Sequence, residues 1–280
     1  MIMKKILTGL MSIMGLMGFW SCDKIEPEDY TIYNGAVITW TATTSSLTPV
    51  QRALVEKYTG PRCVNCPNAD ETLDAAHHQF GDKLVVIAIN HPTGQGLPYP
   101  NQPDMRTTAG TTWDQYFGIN AIPAAYLNRD RATQYQGSMS NISNDINTAL
   151  QGSPMVAIEA TAQTDGSKVN VEMQVELVQS YDNPLTITVA LTEDSLAYKQ
   201  LTPDNGMVDD YQHHHMLRAV ATSYWGADVE MASAGSAAKG TLTFDLPEGC
   251  NPNHCNVVVF VSDKSSRRVL NSYQTGVMES

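Results

Sequence analysis

Charge is scarce in this chain, and positive charge is scarcest. Asp, Glu, Lys and Arg make up 16% of its 280 residues, with 17 basic residues against 29 acidic ones and a net charge of −12. That deficit excludes nucleic acid as a partner and excludes unaided binding to an anionic membrane surface, since both need clustered Lys and Arg. The apolar run Ile6–Trp20 is too short for a comfortable membrane span and has no stop-transfer flank. No phosphate loop, dinucleotide fingerprint or G-x-S-x-G elbow is present, no internal repeat is visible, and nothing calls for a cofactor. Cysteine is rare as well, five in all. Against these absences stands a hydrophobic content of 42%, enough for a sizeable core and contrary to disorder. The length suffices for two domains.

Two of the five cysteines stand in Cys63-Val64-Asn65-Cys66-Pro67. Ala53–Tyr58 before them reads as a strand and Thr59–Arg62 as a tight turn. Asn68–Phe80 reads as a helix, with Ala69, Leu73, Ala76 and Phe80 on one stripe. A Cys-x-x-Cys pair at a helix N-terminus meets free N–H groups and partial positive charge, which favour a thiolate on the first sulfur. Half a zinc site has the same spacing. Downstream, Ile122-Pro123 enters the apolar run Ala124–Leu127, where surrounding structure can hold a cis peptide. A strand at Leu84–Asn90, a helix around Trp113–Phe117 and a closing helix over about Met139–Leu150 complete the order. That order and those two motifs resemble the thioredoxin superfamily. The resemblance implies that Cys63 attacks, Cys66 resolves and Pro123 is a cis-proline that aligns a bound substrate strand.

The N-terminus reads as a targeting segment. Lys4 and Lys5 precede the apolar run, and Ser21-Cys22 ends it. This resembles a bacterial lipobox, which implies that Cys22 is lipidated and anchors the mature chain in a membrane. A plain signal peptide followed by a stray cysteine is the other reading. The acidic stretch Asp23–Asp29 either resembles the surface-export signal of Bacteroidetes lipoproteins or is a solvated linker. Export permits disulfides. Setting Cys22 aside leaves four cysteines, for which the local pairing, Cys63 with Cys66 and Cys250 with Cys255, is expected among three connectivities. Cys250-Asn-Pro-Asn-His-Cys255 carries turn residues between its sulfurs and reads as a structural staple.

The expected organisation is a signal peptide over 1–21, a tether and lead-in over 22–50, an α/β thioredoxin-like domain over 51–152 and an all-β immunoglobulin-like sandwich over 153–280. Within the first domain, His91–Thr112 holds Pro92, Pro98, Pro100 and Pro103 and reads as a lid or docking loop. In the second, Val156–Thr164, Lys168–Val178 and Pro184–Thr192 alternate apolar and polar residues, the first two across Asp165-Gly166. About seven such strands suggest the sandwich. Taken together, the lipobox, Thr59-Gly60-x-x-Cys63-Val64-Asn65-Cys66-Pro67, Ile122-Pro123, Tyr211–Arg218 and Leu246-Pro-Glu-Gly with Asn256–Val261 resemble the thioredoxin-like outer-membrane lipoproteins of Bacteroidetes. The resemblance implies a lipid-anchored outer-membrane protein facing envelope or surface proteins. Its activity is then either thiol–disulfide exchange or non-catalytic binding or adhesion on a scaffold.

Two positions depart from true thioredoxins. Arg62 replaces the common Trp before the first cysteine and would lower the Cys63 pKa by Coulomb attraction. Lys57 replaces a buried acid, and strand alternation points the neighbouring Glu56 away. His213-His214-His215 on a strand would offer a metal at most His213 and His215, and histidines hydrogen-bonded within the β half are the plainer reading. Asp204-Asn205-Gly206 with Asp209 and Asp210 lacks the calcium-loop pattern and reads as a solvated turn.

Overall fold

Val156–Thr164 and Lys168–Leu177 alternate buried and exposed side chains along most of their length, the period of strands with one face on a core. Gly166 between them takes φ +88°, the left-handed backbone that a tight hairpin requires and that glycine adopts without penalty. The computed structural model describes residues 35–231 and 233–280. Cys22, the signal segment and the acidic stretch Asp23–Asp29 lie outside the described residues.

In chain order the strands are β1 (Thr39–Thr43), β2 (Ala53–Thr59), β3 (Leu84–Asn90), β4 (Ala124–Leu127), β5 (Gln134–Gln136), β6 (Val156–Thr164), β7 (Lys168–Leu177) and β8 (Leu185–Glu193). They continue as β9 (Leu196–Thr202), β10 (Gly206–His213), β11 (Met216–Val220), β12 (Ala227–Val229), β13 (Ala237–Asp245), β14 (Cys255–Asp263) and β15 (Val269–Glu279). The helices among the described residues are α1 (Cys66–Phe80), α2 (Thr108–Phe117) and α3 (Ile142–Leu150). None is long and apolar enough to cross a membrane.

The expected α/β thioredoxin-like domain followed by an immunoglobulin-like sandwich does not form. Strand dominates, and the strands of both halves join one thirteen-stranded mixed sheet. Its order is β1-β13-β7-β6-β15-β14-β8-β11-β3-β2-β4-β5, with β12 on β8 and β9–β10 forming a separate pair. The splice is β11. It runs antiparallel to β8, with Met216 opposite Glu193 and Val220 opposite Ala190. Its other edge meets β3 in parallel, with Met216 opposite Ala88, and the Ala88 N–H donates to the His215 carbonyl at 2.7 Å. Every residue of β2 and β3 is buried, so an unpaired β3 edge would leave backbone groups without water or partners. β11 meets that edge at Ala88, and two sheets become one.

Packing follows the splice. On one face of β2 and β3, Val55, Leu84 and Val86 meet Ala69 and Leu73 of α1 and Ile142 and Ile146 of α3. On the other, Leu54, Tyr58 and Ile87 meet Trp113 of α2 together with Leu217, Val258 and Phe260 from the C-terminal half. Each fully buried aliphatic side chain contributes about 1.5–3 kcal/mol, so this shared core ties the two halves energetically. A third cluster, including Val156, Val171, Val189 and Val257, fills the wide end of the sheet.

Candidate functional site

β2 ends at Thr59, and the turn that follows carries the cysteine pair. Gly60 is required there. A Cβ at Gly60 would fall 2.4 Å from the Gln95 carbonyl oxygen, and one at Gly96 would fall 1.8 Å from that of His91, so the turn and the proline-rich loop touch backbone to backbone. The Cys63 N–H donates to the Gly60 carbonyl at 3.0 Å. α1 begins at Cys66, with Pro67 in its first turn, where a missing N–H costs nothing. Cys63 therefore sits in the turn ahead of the helix.

Cys63 and Cys66 are joined in a disulfide, with a Cα–Cα distance of 5.4 Å. Both are buried, at 2% and 1% exposure, while Val64 between them stands out at 36%. The Ile122–Pro123 peptide is cis. Ala124 pairs with Tyr58, which puts Pro123 at the same end of the sheet as the cysteine turn.

The cover over the disulfide comes from the C-terminal half. The β9–β10 hairpin reaches back to the turn. There the Leu201 N–H donates to the Pro61 carbonyl at 2.8 Å, and the buried Gln200 amide donates to the Cys63 carbonyl at 2.9 Å. Tyr211 of β10 donates its hydroxyl proton to Asp70 of α1 at 2.9 Å, and Asp70 is ion-paired with Lys57 of β2. Lys57 thus holds the hairpin down through Asp70 and Tyr211. His213 stacks on Tyr198 with ring centroids 3.6 Å apart, and its burial pushes its pKa down to about 4.

The proline-rich loop closes a further side. Arg62 does not face the sulfurs. Its guanidinium donates to the Leu97 and Pro98 carbonyls at 3.0 and 2.6 Å and lies 4.8 Å over the Tyr99 ring. The Lys199 N–H donates to Gln102 Oε1 at 3.0 Å, joining loop to hairpin. His91 Nδ1 lies 2.7 Å from the buried Asp114 carboxylate, whose pKa is raised by burial against the lowering effect of His91. On the far face Glu56 forms a two-pronged pair with Arg129, at 2.9 and 2.6 Å, and both are buried. The Arg129 guanidinium lies 4.5 Å from the Trp113 ring and 4.7 Å from the Phe260 ring.

The hairpin and the Glu56–Arg129 pair escaped sequence reasoning. The hairpin had a signal: Asn205-Gly206 between two half-alternating runs marks a tight turn. The ion pair had none. The histidine run does not gather ligands, since His213 stacks in the hairpin while the His215 ring lies 3.3 Å from Asp194. Cys250 and Cys255 are both thiols in the structure, not the staple expected from their spacing. A groove of about 690 Å³ between Tyr181–Leu185 and Asp228–Met231 is lined by none of the cysteines.

The described residues form a wide mixed sheet that carries a buried, disulfide-bonded cysteine pair. The profile of the family described as outer membrane protein Omp28 matches residues 110–280, more than half of the chain. The chain belongs to that family and is an outer-membrane protein. No curated protein matches it. Among solved structures it is similar to HBP35 of Porphyromonas gingivalis, at 18% identity and a TM-score of 0.65 over 82% of this chain and 76% of that one. A domain of the outer membrane lipoprotein Omp28 from Porphyromonas gingivalis matches at 17% identity over 45% of this chain and 90% of that one, with a TM-score of 0.31.

Proposed function

We propose that the protein is a non-catalytic, lipid-anchored outer-membrane protein that binds envelope or surface proteins, with the Cys63–Cys66 disulfide as a permanent part of its scaffold. One observation carries this reading: the disulfide is covered. Exchange begins with a thiolate reaching a sulfur along the S–S axis, so it needs access. Here both sulfurs are buried beneath a hairpin fastened to the turn by Gln200, Leu201 and Tyr211. Arg62, the nearest cation in sequence, turns its guanidinium to the Leu97 and Pro98 carbonyls. Lipidation of Cys22 supplies the anchor. Bacterial lipoproteins carry more than one acyl chain, as stable anchoring demands.

The test has two arms. Equilibration of the folded protein with glutathione and thioredoxin buffers should give a reduction potential below about −300 mV, the range of structural disulfides. A value near the poise of exchanging pairs, with mixed disulfides trapped by Cys66→Ser, would replace this reading with thiol–disulfide exchange. Separately, Cys22→Ala should release the protein from the membrane fraction. Retention as firm as wild type would remove the lipid anchor.

A further inference from the structure

The best-assembled ligand set lies away from the disulfide, at the start of β14. Cys255 pairs directly with Glu193 of β8, so their side chains share one face of the sheet. Cys250 arrives from the preceding loop, whose Pro252–His254 turn folds it back. The Asn251 N–H donates to Glu193 Oε1 at 2.7 Å, which fixes the carboxylate. The Cys250 and Cys255 sulfurs and a Glu193 oxygen all lie within 4.8 Å of one another. Glu193 is 1% exposed, and its Oε2 is buried without a hydrogen-bond partner, with Arg218 Nη1 standing 3.3 Å away. A buried carboxylate, ion-paired with Arg218 and set beside two sulfurs, offers a donor set that a cation can join.

We propose that Cys250, Cys255 and Glu193 form a binding site for a thiophilic divalent cation of the zinc type. The donor set decides the class. Two sulfurs and one carboxylate suit zinc and exclude calcium or magnesium, which take oxygen ligands. The Cys-x4-Cys spacing falls within the range used by zinc ligand pairs. Charge closes as well: two thiolates and a carboxylate give −3, which a divalent cation and Arg218 bring to zero. Binding displaces one proton from each thiol to solvent and forms two metal–sulfur bonds and one metal–oxygen bond, with no change of oxidation state. Cys250 is half-buried, which leaves an entry path and a fourth position for water. Arg218 Nη1 also donates to Met105 Sδ at 2.9 Å, which holds its guanidinium beside Glu193.

The experiment titrates cobalt(II) into the full chain under mild reductant that leaves the covered Cys63–Cys66 bond intact. One equivalent should give the thiolate-to-cobalt charge-transfer band and the visible bands of a tetrahedral site, and zinc should bleach both. Cys250→Ser should abolish the charge-transfer band at that stoichiometry, and Glu193→Gln should weaken binding at least about tenfold. The Cys63→Ser, Cys66→Ser variant should titrate like wild type. Circular dichroism reads folding, and if Cys255→Ser fails to fold, the half-buried Cys250→Ser carries the comparison. The proposal is overturned by absent uptake at one equivalent, by bands that survive Cys250→Ser or vanish with Cys63 and Cys66, or by a Cys250–Cys255 disulfide in protein taken from envelopes.

Discussion

Removing one side chain should open the cover over the disulfide. The Gln200 amide donates across to the turn, to the Cys63 carbonyl at 2.9 Å and to the Gly60 carbonyl at 3.4 Å. Gln200→Leu keeps most of the volume and deletes the donor. Each lost bond costs about 0.5–1.5 kcal/mol net. The Cys63 carbonyl retains the Cys66 N–H at 3.3 Å, so no full desolvation penalty is added. The sum is about 2 kcal/mol against the closed hairpin, or roughly thirtyfold more of the open form at 1.4 kcal/mol per factor of ten. The assay is the rate at which excess phosphine reduces Cys63–Cys66, read by alkylation and mass spectrometry. Because attack requires opening, the rate should rise in proportion to the open population. Asp210→Asn, on the exposed side of the same hairpin, should leave the rate unchanged. A Gln200→Leu protein reduced at the wild-type rate would show that the hairpin does not gate the sulfurs, and the scaffold reading would lose its main support.

Acid should loosen the same cover. His213 has a folded pKa of about 4 against about 6.5 when unfolded, so the unfolded chain takes up the proton first. Stability is complete above about pH 6.5 and falls as pH drops to 4, by at most about 3 kcal/mol. Asp70 on α1 favours the proton, while Lys57 on β2 and the adjacent His214 oppose it. Urea midpoints at pH 7, 5 and 4 should show a shallower acid loss for His213→Phe, and an identical slope would refute the assignment. On the opposite face, Arg129→Met should cost about 3–5 kcal/mol by stranding Glu56, and the double variant Glu56→Leu, Arg129→Met should recover much of it. Additive losses in chemical denaturation would show that the two side chains do not act as a pair.

Local elements were legible because their signals are local. β3 runs over Leu84–Asn90, the segment its apolar run marks, and α1 reaches Phe80, where the Ala69-Leu73-Ala76 stripe ends. The cysteine pair was legible from its spacing, but its cover was not. Gln200 and Leu201 lie about 140 positions from the turn they bind, and no period or motif ties them to it. The overall architecture was lost at one strand. Met216–Val220 has the pattern of any half-buried strand, and nothing in its residues says that one edge meets β8 and the other β3. The strand at Leu84–Asn90 was visible, but the neighbour that completes its edge was not. Glu56 and Arg129 illustrate the same limit, since a buried charge pair is set by the fold that desolvates it.

The place of β11 in the sheet sets an order of assembly during export. An outer-membrane protein is handed across the envelope as a chain, N-terminal residues first. The strand that joins β3 lies about 130 residues behind it, so Ile87, Ile89 and the open edge at Ala88 wait for Met216 to arrive. Such an edge recruits whatever strand it meets, including its counterpart on a neighbouring chain. Envelope chaperones that hold the chain extended until its C-terminal half has emerged would therefore act on this protein chiefly by guarding one edge.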